Sequence, residues 1–216
     1  MNAALGELID AIKNRDGARS SELLAAQPAL ASAIPTEGMA PLVVAIYWRN
    51  DSAADALVAA GAPYPAPLAA ARGDVARLAG LAQRDPEALA EWSADGWSAL
   101  HLAAHFGRGD ACLFLLRHGA APTVRSRNGL ANLPIHAAAA GNHTPVVGIL
   151  LAAGTDANER QHGGWTALHQ AAQHGNEEMA RWLLASGADA QLANDDGKRP
   201  LDLVPVEDAA LRRLLT

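Results

Sequence analysis

The sequence predicts an all-α protein, a stack of helix-turn-helix units in one domain spanning 1–216. Two observations predict it. Half of the residues are apolar, but only 4% are aromatic. The apolar weight is alanine and leucine, which suits closely packed helices better than a β-sandwich. The second observation is a repeat. One apolar marker returns as Leu8, Leu42, Ala66, Leu100, Ile135, Leu168 and Leu201, at spacings of 34, 24, 34, 35, 33 and 33. Self-similarity near 33 residues marks a solenoid, in which no unit buries both its faces without neighbours.

The stretch WTALHQAAQHGNEEMARWLLASGA at 165–188 shows how one unit is built. Thr166 is placed to cap the first helix, its hydroxyl accepting an orphan backbone N–H. Leu168, Ala171 and Ala172 make an i, i+3, i+4 stripe. Gly175 can end that helix in the left-handed conformation, and Gly187 can end the next. Met179, Trp182 and Leu183 give the second helix its core stripe. WSALHLAAHFGRGDACLFLLRHGA at 97–120 is a second clear copy, in which Cys112 and Phe114 fall at core slots. LPIHAAAAGNHTPVVGILLAAGTDAN at 133–158 is a third, with Asn142 as the left-handed residue, Thr144 as cap and Pro145 in the first turn. Extra residues between Leu130 and Leu133, and Leu133 in a capping slot, predict an irregular entry there. The spacing of 24 predicts that the loop between units two and three is shortened, with PYPAP at 63–67 replacing it. The boundaries read as an N-terminal cap at about 1–35, repeats at about 36–62, 63–92, 93–122, 123–158 and 159–190, and a C-terminal cap at about 191–216.

These residues resemble ankyrin repeats. The family pattern of Thr-Pro-Leu-His, Ala-Ala, Gly and Gly-Ala-Asp stands here as TALH at 166–169, SALH at 98–101, LPIH at 133–136 and RPLD at 199–202. Gly-Ala-Asp stands at 187–189, and Gly-Thr-Asp-Ala-Asn at 154–158. The resemblance implies an ankyrin-repeat solenoid with short β-hairpin loops. It also implies an architectural role for His101, His136 and His169, whose rings would tie neighbouring loops together. Alanine-rich composition fits a GC-rich bacterial genome, and the chain resembles bacterial members of the family.

Chemistry is sparse. No H-E-x-x-H, Walker loop, G-x-S-x-G or G-x-G-x-x-G is present. A lone Cys112 cannot form an internal disulfide. The net charge of −6 opposes a general nucleic-acid binder. No apolar run approaches a bilayer span, and residues 1–15 have no signal pattern, so the expected compartment is the cytoplasm. No cofactor, no metal and no catalytic residue is expected.

What remains after the scaffold is explained is aromatic. In the family, hairpin tips, the residue after the hairpin Gly and the end of the first helix face a partner. Mapped onto this chain, those positions give Tyr47, Trp48, Trp92, Trp97, His105, Phe106, Arg127, Leu130, His162, Trp165, Gln173, His174 and Lys198. Exposed Trp and Tyr are typical of binding hot spots. The expected function is a non-enzymatic module that binds a protein through its concave hairpin and first-helix face. The expected protein is monomeric, and the expected partner is a protein with a basic surface, neither nucleic acid nor membrane. A bacterial effector or a toxin-neutralising immunity protein is the alternative. A metal-dependent enzyme using His101, His105, His136 and His169 is the least favoured reading.

Overall fold

The computed structural model describes residues 3–36 and 38–216. Its helices are α1 (Ala3–Lys13), α2 (Gly17–Ala26), α3 (Pro41–Tyr47), α4 (Asp51–Ala59), α5 (Ala66–Arg72), α6 (Val75–Arg84), α7 (Ala99–His105), α8 (Gly109–Arg117), α9 (Pro134–Ala140), α10 (Thr144–Ala152), α11 (Ala167–Gln173), α12 (Glu177–Ala185), α13 (Pro200–Leu203) and α14 (Ala209–Leu214). The structure is all-α: among the described residues β-pairing is limited to an isolated antiparallel bridge between Trp92 and Ser98.

Each helix pair before α13–α14 turns on the same local chemistry, and no positive-φ residue ends α13. A left-handed residue ends the first helix, and an Asp or Asn just after it caps the second. Arg15, Arg49, Asn142, Gly73 and Gly175 all have positive φ. The caps are Asp16, Asn50, Asp74 and Asn176, whose side-chain oxygens accept the backbone N–H of Arg19, Ala53, Arg77 and Met179. Two pairs depart from this. Arg108 begins α8 without a side-chain cap, and its Nε instead donates to the Ala71 carbonyl at 3.0 Å. His143, rather than the expected Thr144, is the cap residue of α10. Thr144 lies inside the helix, buried, and its hydroxyl accepts from Asn176 Nδ2 at 3.0 Å.

The marker residues are core. Leu8, Ala66 and Leu168 are fully buried, Leu100 and Ile135 almost so, and only Leu201, in the last repeat, is half-buried. From the second repeat to the sixth, the alanines after the marker vanish from solvent because their small side chains let neighbouring first helices approach closely.

The single-domain reading meets a chain that divides into two compact units, 1–68 and 69–216. The division falls inside α5, just after PYPAP. As the short spacing predicts, no hairpin stands there: six residues, 60–65, connect α4 to α5. Unit 1–68 packs α1 on α2 and α3, and α3 on α4, around Leu8, Ile12 and Leu57. Its repeat-to-repeat ties include Asn50 Nδ2 donating to the Ile12 carbonyl at 2.9 Å and Ser32 Oγ donating to the Gly61 carbonyl at 3.2 Å. In unit 69–216 the first helices follow one another as α7, α9, α11 and α13, and the second helices as α6, α8, α10, α12 and α14.

Two core assignments are corrected. Trp182 is 45% exposed, and the buried stripe of α12 is Met179, Ala180 and Leu183. Trp182 lies beside that stripe, with its ring over Gly148, where a Cβ would collide with it. Phe114 is half-buried and stacks on His118, centroids 4.0 Å apart; Cys112, Ala111 and Leu115 fill the inner face of α8.

Candidate functional site

In unit 69–216 the hairpin tips are stitched to one another by the backbone. Within the first tip, Ser93 N–H donates to the Trp97 carbonyl at 2.8 Å, and Ser93 Oγ accepts from Trp97 N–H at 2.9 Å. Successive tips then meet: Arg127 N–H donates to the Gly96 carbonyl, His162 N–H to that of Leu130, and Asp195 N–H to that of Gly163, at 2.8, 2.9 and 2.9 Å. The approach is close enough that Gly96 is required. It has φ +81°, and a Cβ there would press on the backbone of Arg127 and Asn128.

Beneath the tips runs a histidine ladder. His101 Nε2 donates to the Asn132 carbonyl at 2.9 Å, His136 Nε2 to Glu159 at 2.8 Å, and His169 Nε2 to Lys198 at 3.0 Å. A carbonyl can only accept, so each Nε2 carries a proton, and burial opposes a second proton on Nδ1. Each Nδ1 is then an acceptor, from the Ser98 hydroxyl, the Leu133 N–H, or the Thr166 hydroxyl and N–H. Thr166 therefore begins α11 as expected, but its hydroxyl donates to His169 rather than accepting an orphan N–H. Burial holds His101 and His136 down to about 4, partly opposed by their carbonyl bonds; His169 is lowered by the same cause. These rings are architecture, as the resemblance implies. Among the described residues no cluster of His, Cys, Asp and Glu could hold a metal ion. Burial pushes the Cys112 thiol up to about 12, which leaves it a packed, protonated side chain.

The predicted site residues separate into groups. Trp92, Trp97 and Arg127 converge: the Arg127 guanidinium sits 4.1 Å from the Trp92 ring centroid, and both indoles tilt toward His101, at 6.4 and 5.5 Å. Trp165 repeats this placement against His169 at 5.7 Å. Leu130, 46% exposed, and His162, exposed, belong to adjoining tips. Lys198 is exposed on the last tip. His105, Gln173 and His174 are exposed at the ends of α7 and α11. Phe106 does not belong with them. It is 6% exposed and meets the His105 ring edge-on at 5.1 Å, so it packs inward and offers no surface. Tyr47 and Trp48 belong to unit 1–68: Tyr47 is half-buried, and Trp48 is exposed with Lys13 Nζ 5.1 Å from its ring.

Sequence reasoning missed a charge ladder on the same tips. Arg125 pairs with Glu159 at 2.7 Å, and Arg160 with Asp195 at 3.2 Å. Arg125 also donates to the Ala131 and Arg160 carbonyls. The available signal was opposite charges one repeat apart. These exposed pairs add little stability but fix the arginines in place.

Among the described residues no helix is long and apolar enough to cross a membrane. The family described as "Ankyrin repeats (many copies)" matches residues 135–184 and 168–204, and "Ankyrin repeat" matches 95–127. Protein phosphatase 1 regulatory subunit 27 of Mus musculus is 42% identical over 77 residues, covering 36% of this chain and 49% of that protein. Ankyrin repeat and SAM domain-containing protein 6 of Mus musculus is 42% identical over 92 residues, 41% of this chain and 10% of that protein. B-cell lymphoma 3 protein homolog of Mus musculus is 37% identical over 108 residues, 50% of this chain and 24% of that protein. The matches thus span about half the length of the first relative and less of the others. All three are mammalian, and the expected bacterial likeness finds no support in them.

Proposed function

Because this chain carries ankyrin repeats, we propose that it is a non-enzymatic protein-interaction module whose partner docks on the hairpin edge of unit 69–216. The observation that carries the reading is the tip-to-tip backbone ladder. It holds Trp92, Trp97, Arg127, Leu130, His162, Trp165 and Lys198 along one edge without relying on the partner to order them. A pre-ordered surface loses little entropy on binding. Trp and Arg are the side chains most enriched at interface hot spots. His105, Gln173 and His174 extend the surface onto the first helices. The partner is a protein, in the cytoplasm. The tips carry arginines as well as acids, so the chain's overall acidity favours basic partners through encounter rate more than through contacts at this edge. The named relatives include a regulatory subunit of protein phosphatase 1. The match is confined to the repeats, so that phosphatase is not assigned to this chain.

The test is capture of a partner by wild type and by two variants. Trp97→Ala/Trp165→Ala removes two indoles, each on the order of 2 kcal/mol if it is a hot spot. Leu130→Ser/Lys198→Glu alters only exposed side chains, so folding is spared. Loss of the same partner from both variants, with unchanged circular dichroism, is the expected result. Full retention by both places the binding site elsewhere.

A further inference from the structure

The outer side of unit 69–216, formed by its second helices, is less polar than a solvated face should be. On α10 no residue from 144 to 152 is charged, and the outward stripe is Pro145, Gly148, Ile149 and Ala152. A helix without a polar face has something left to cover. On α12, next to it, Trp182 is 45% exposed above Gly148. On α8, at the other flank, the outward stripe is Asp110, Leu113, Phe114 and Arg117, at i, i+3, i+4 and i+7. Leu113 is 37% exposed. Asp110 and Arg117 are exposed, and among the described residues neither side chain has a bonding partner within the chain.

That stripe reads acid, apolar, apolar, base. We propose that it is self-complementary, and that a second copy of this chain docks on the second-helix face. A two-fold axis lying in the face and crossing the helices lays α8 antiparallel on α8 of the second copy. Asp110 then faces Arg117 of the second copy, and Arg117 faces Asp110, as an isologous contact requires. Leu113 and Phe114 meet at the centre, and the charge-free α10 and Trp182 extend the apolar area beside them. Opposite charges at both ends fix the antiparallel register and disfavour the parallel one. The hairpin edge stays free, so this association is compatible with partner binding there and does not depend on it. The expectation of a monomer is the reading this proposal replaces.

The test is the mass of the purified full chain by sedimentation equilibrium over a wide concentration range, at low and high salt. The expected species is twice the 22.4 kDa chain mass, weakening as salt rises. Leu113→Glu and Trp182→Glu should each shift the equilibrium to monomer. Asp110→Arg and Arg117→Asp should each weaken it, and the two together in one chain should restore it, because the swapped charges again face their opposites. Circular dichroism checks that each variant is folded. A monomer at every concentration overturns the proposal and leaves the face to a partner of another kind. A dimer indifferent to these substitutions overturns it as well, since the contact then lies elsewhere.

Discussion

The two compact units are made of the same helix pairs but are held differently. Unit 69–216 has a ladder of three buried histidines and three tip-to-tip backbone bonds. In unit 1–68, among the described residues, the repeats are tied by the buried Asn50 amide to the Ile12 carbonyl and by Ser32 Oγ to the Gly61 carbonyl, with no histidine ladder. All eight histidines of the chain lie between 101 and 174. The difference teaches that helical packing alone makes a repeat, whereas a run of consecutive full-length intervals is what stacks one hairpin tip on the next. A 24-residue interval leaves too little chain to form a tip, and the candidate surface begins only where the spacing returns to 33 or more.

The largest expected effect is acid lability confined to 69–216. His101 and His136 are neutral when folded, at about 4, while an unfolded histidine titrates near 6.5. Below 6.5 the unfolded state therefore binds more protons, and stability present at neutral pH is lost as pH falls toward 4. The loss is on the order of 3 kcal/mol per ring by pH 4. Chemical denaturation at pH 7 and pH 4.5, with a probe in each unit, checks this; equal losses in both units would break the comparison. Next is Leu168→Ala, which removes a fully buried side chain and should cost about 2–5 kcal/mol. An unchanged melting temperature contradicts its place in the core. His136→Leu should cost about 1–3 kcal/mol, because it orphans the Glu159 carbonyl and the Leu133 N–H. At neutral pH, amide exchange should be faster in 1–68 than in 97–190, and slower exchange in 1–68 would reverse the ranking. The smallest effects are Arg127→Gln and Lys13→Gln, each about 1 kcal/mol or less through its ring contact. Arg127, at 4.1 Å against 5.1 Å, should cost more in double-mutant cycles with its own tryptophan.

Much of the fold was legible because the repeat is periodic. Six of the seven markers are buried, and the left-handed residues Asn142, Gly175 and Gly187 lie where the pattern puts them. What failed depended on a neighbouring repeat. Trp182 fits an i, i+3, i+4 stripe, yet Ala180 takes the buried slot; the space for the indole comes from Gly148, one repeat earlier. Phe106 fits a surface slot by register, but its ring turns inward beside His105. Thr144 resembles a cap, and is claimed by Asn176 of the next repeat. For the site, the candidate hairpin residues came from the family pattern laid onto the repeat spacing. Their alignment through Arg127, His162 and Asp195 N–H groups is a backbone property that side-chain identity does not encode.

The central claim is that the partner docks on the hairpin edge of 69–216. Photo-crosslinking tests it most directly, with a photoreactive amino acid placed singly at Leu130, at His162 and, in the other unit, at Trp48. Crosslinks to one protein partner from 130 and 162, and none from 48, are the predicted result. Crosslinks from 48 alone would contradict the claim.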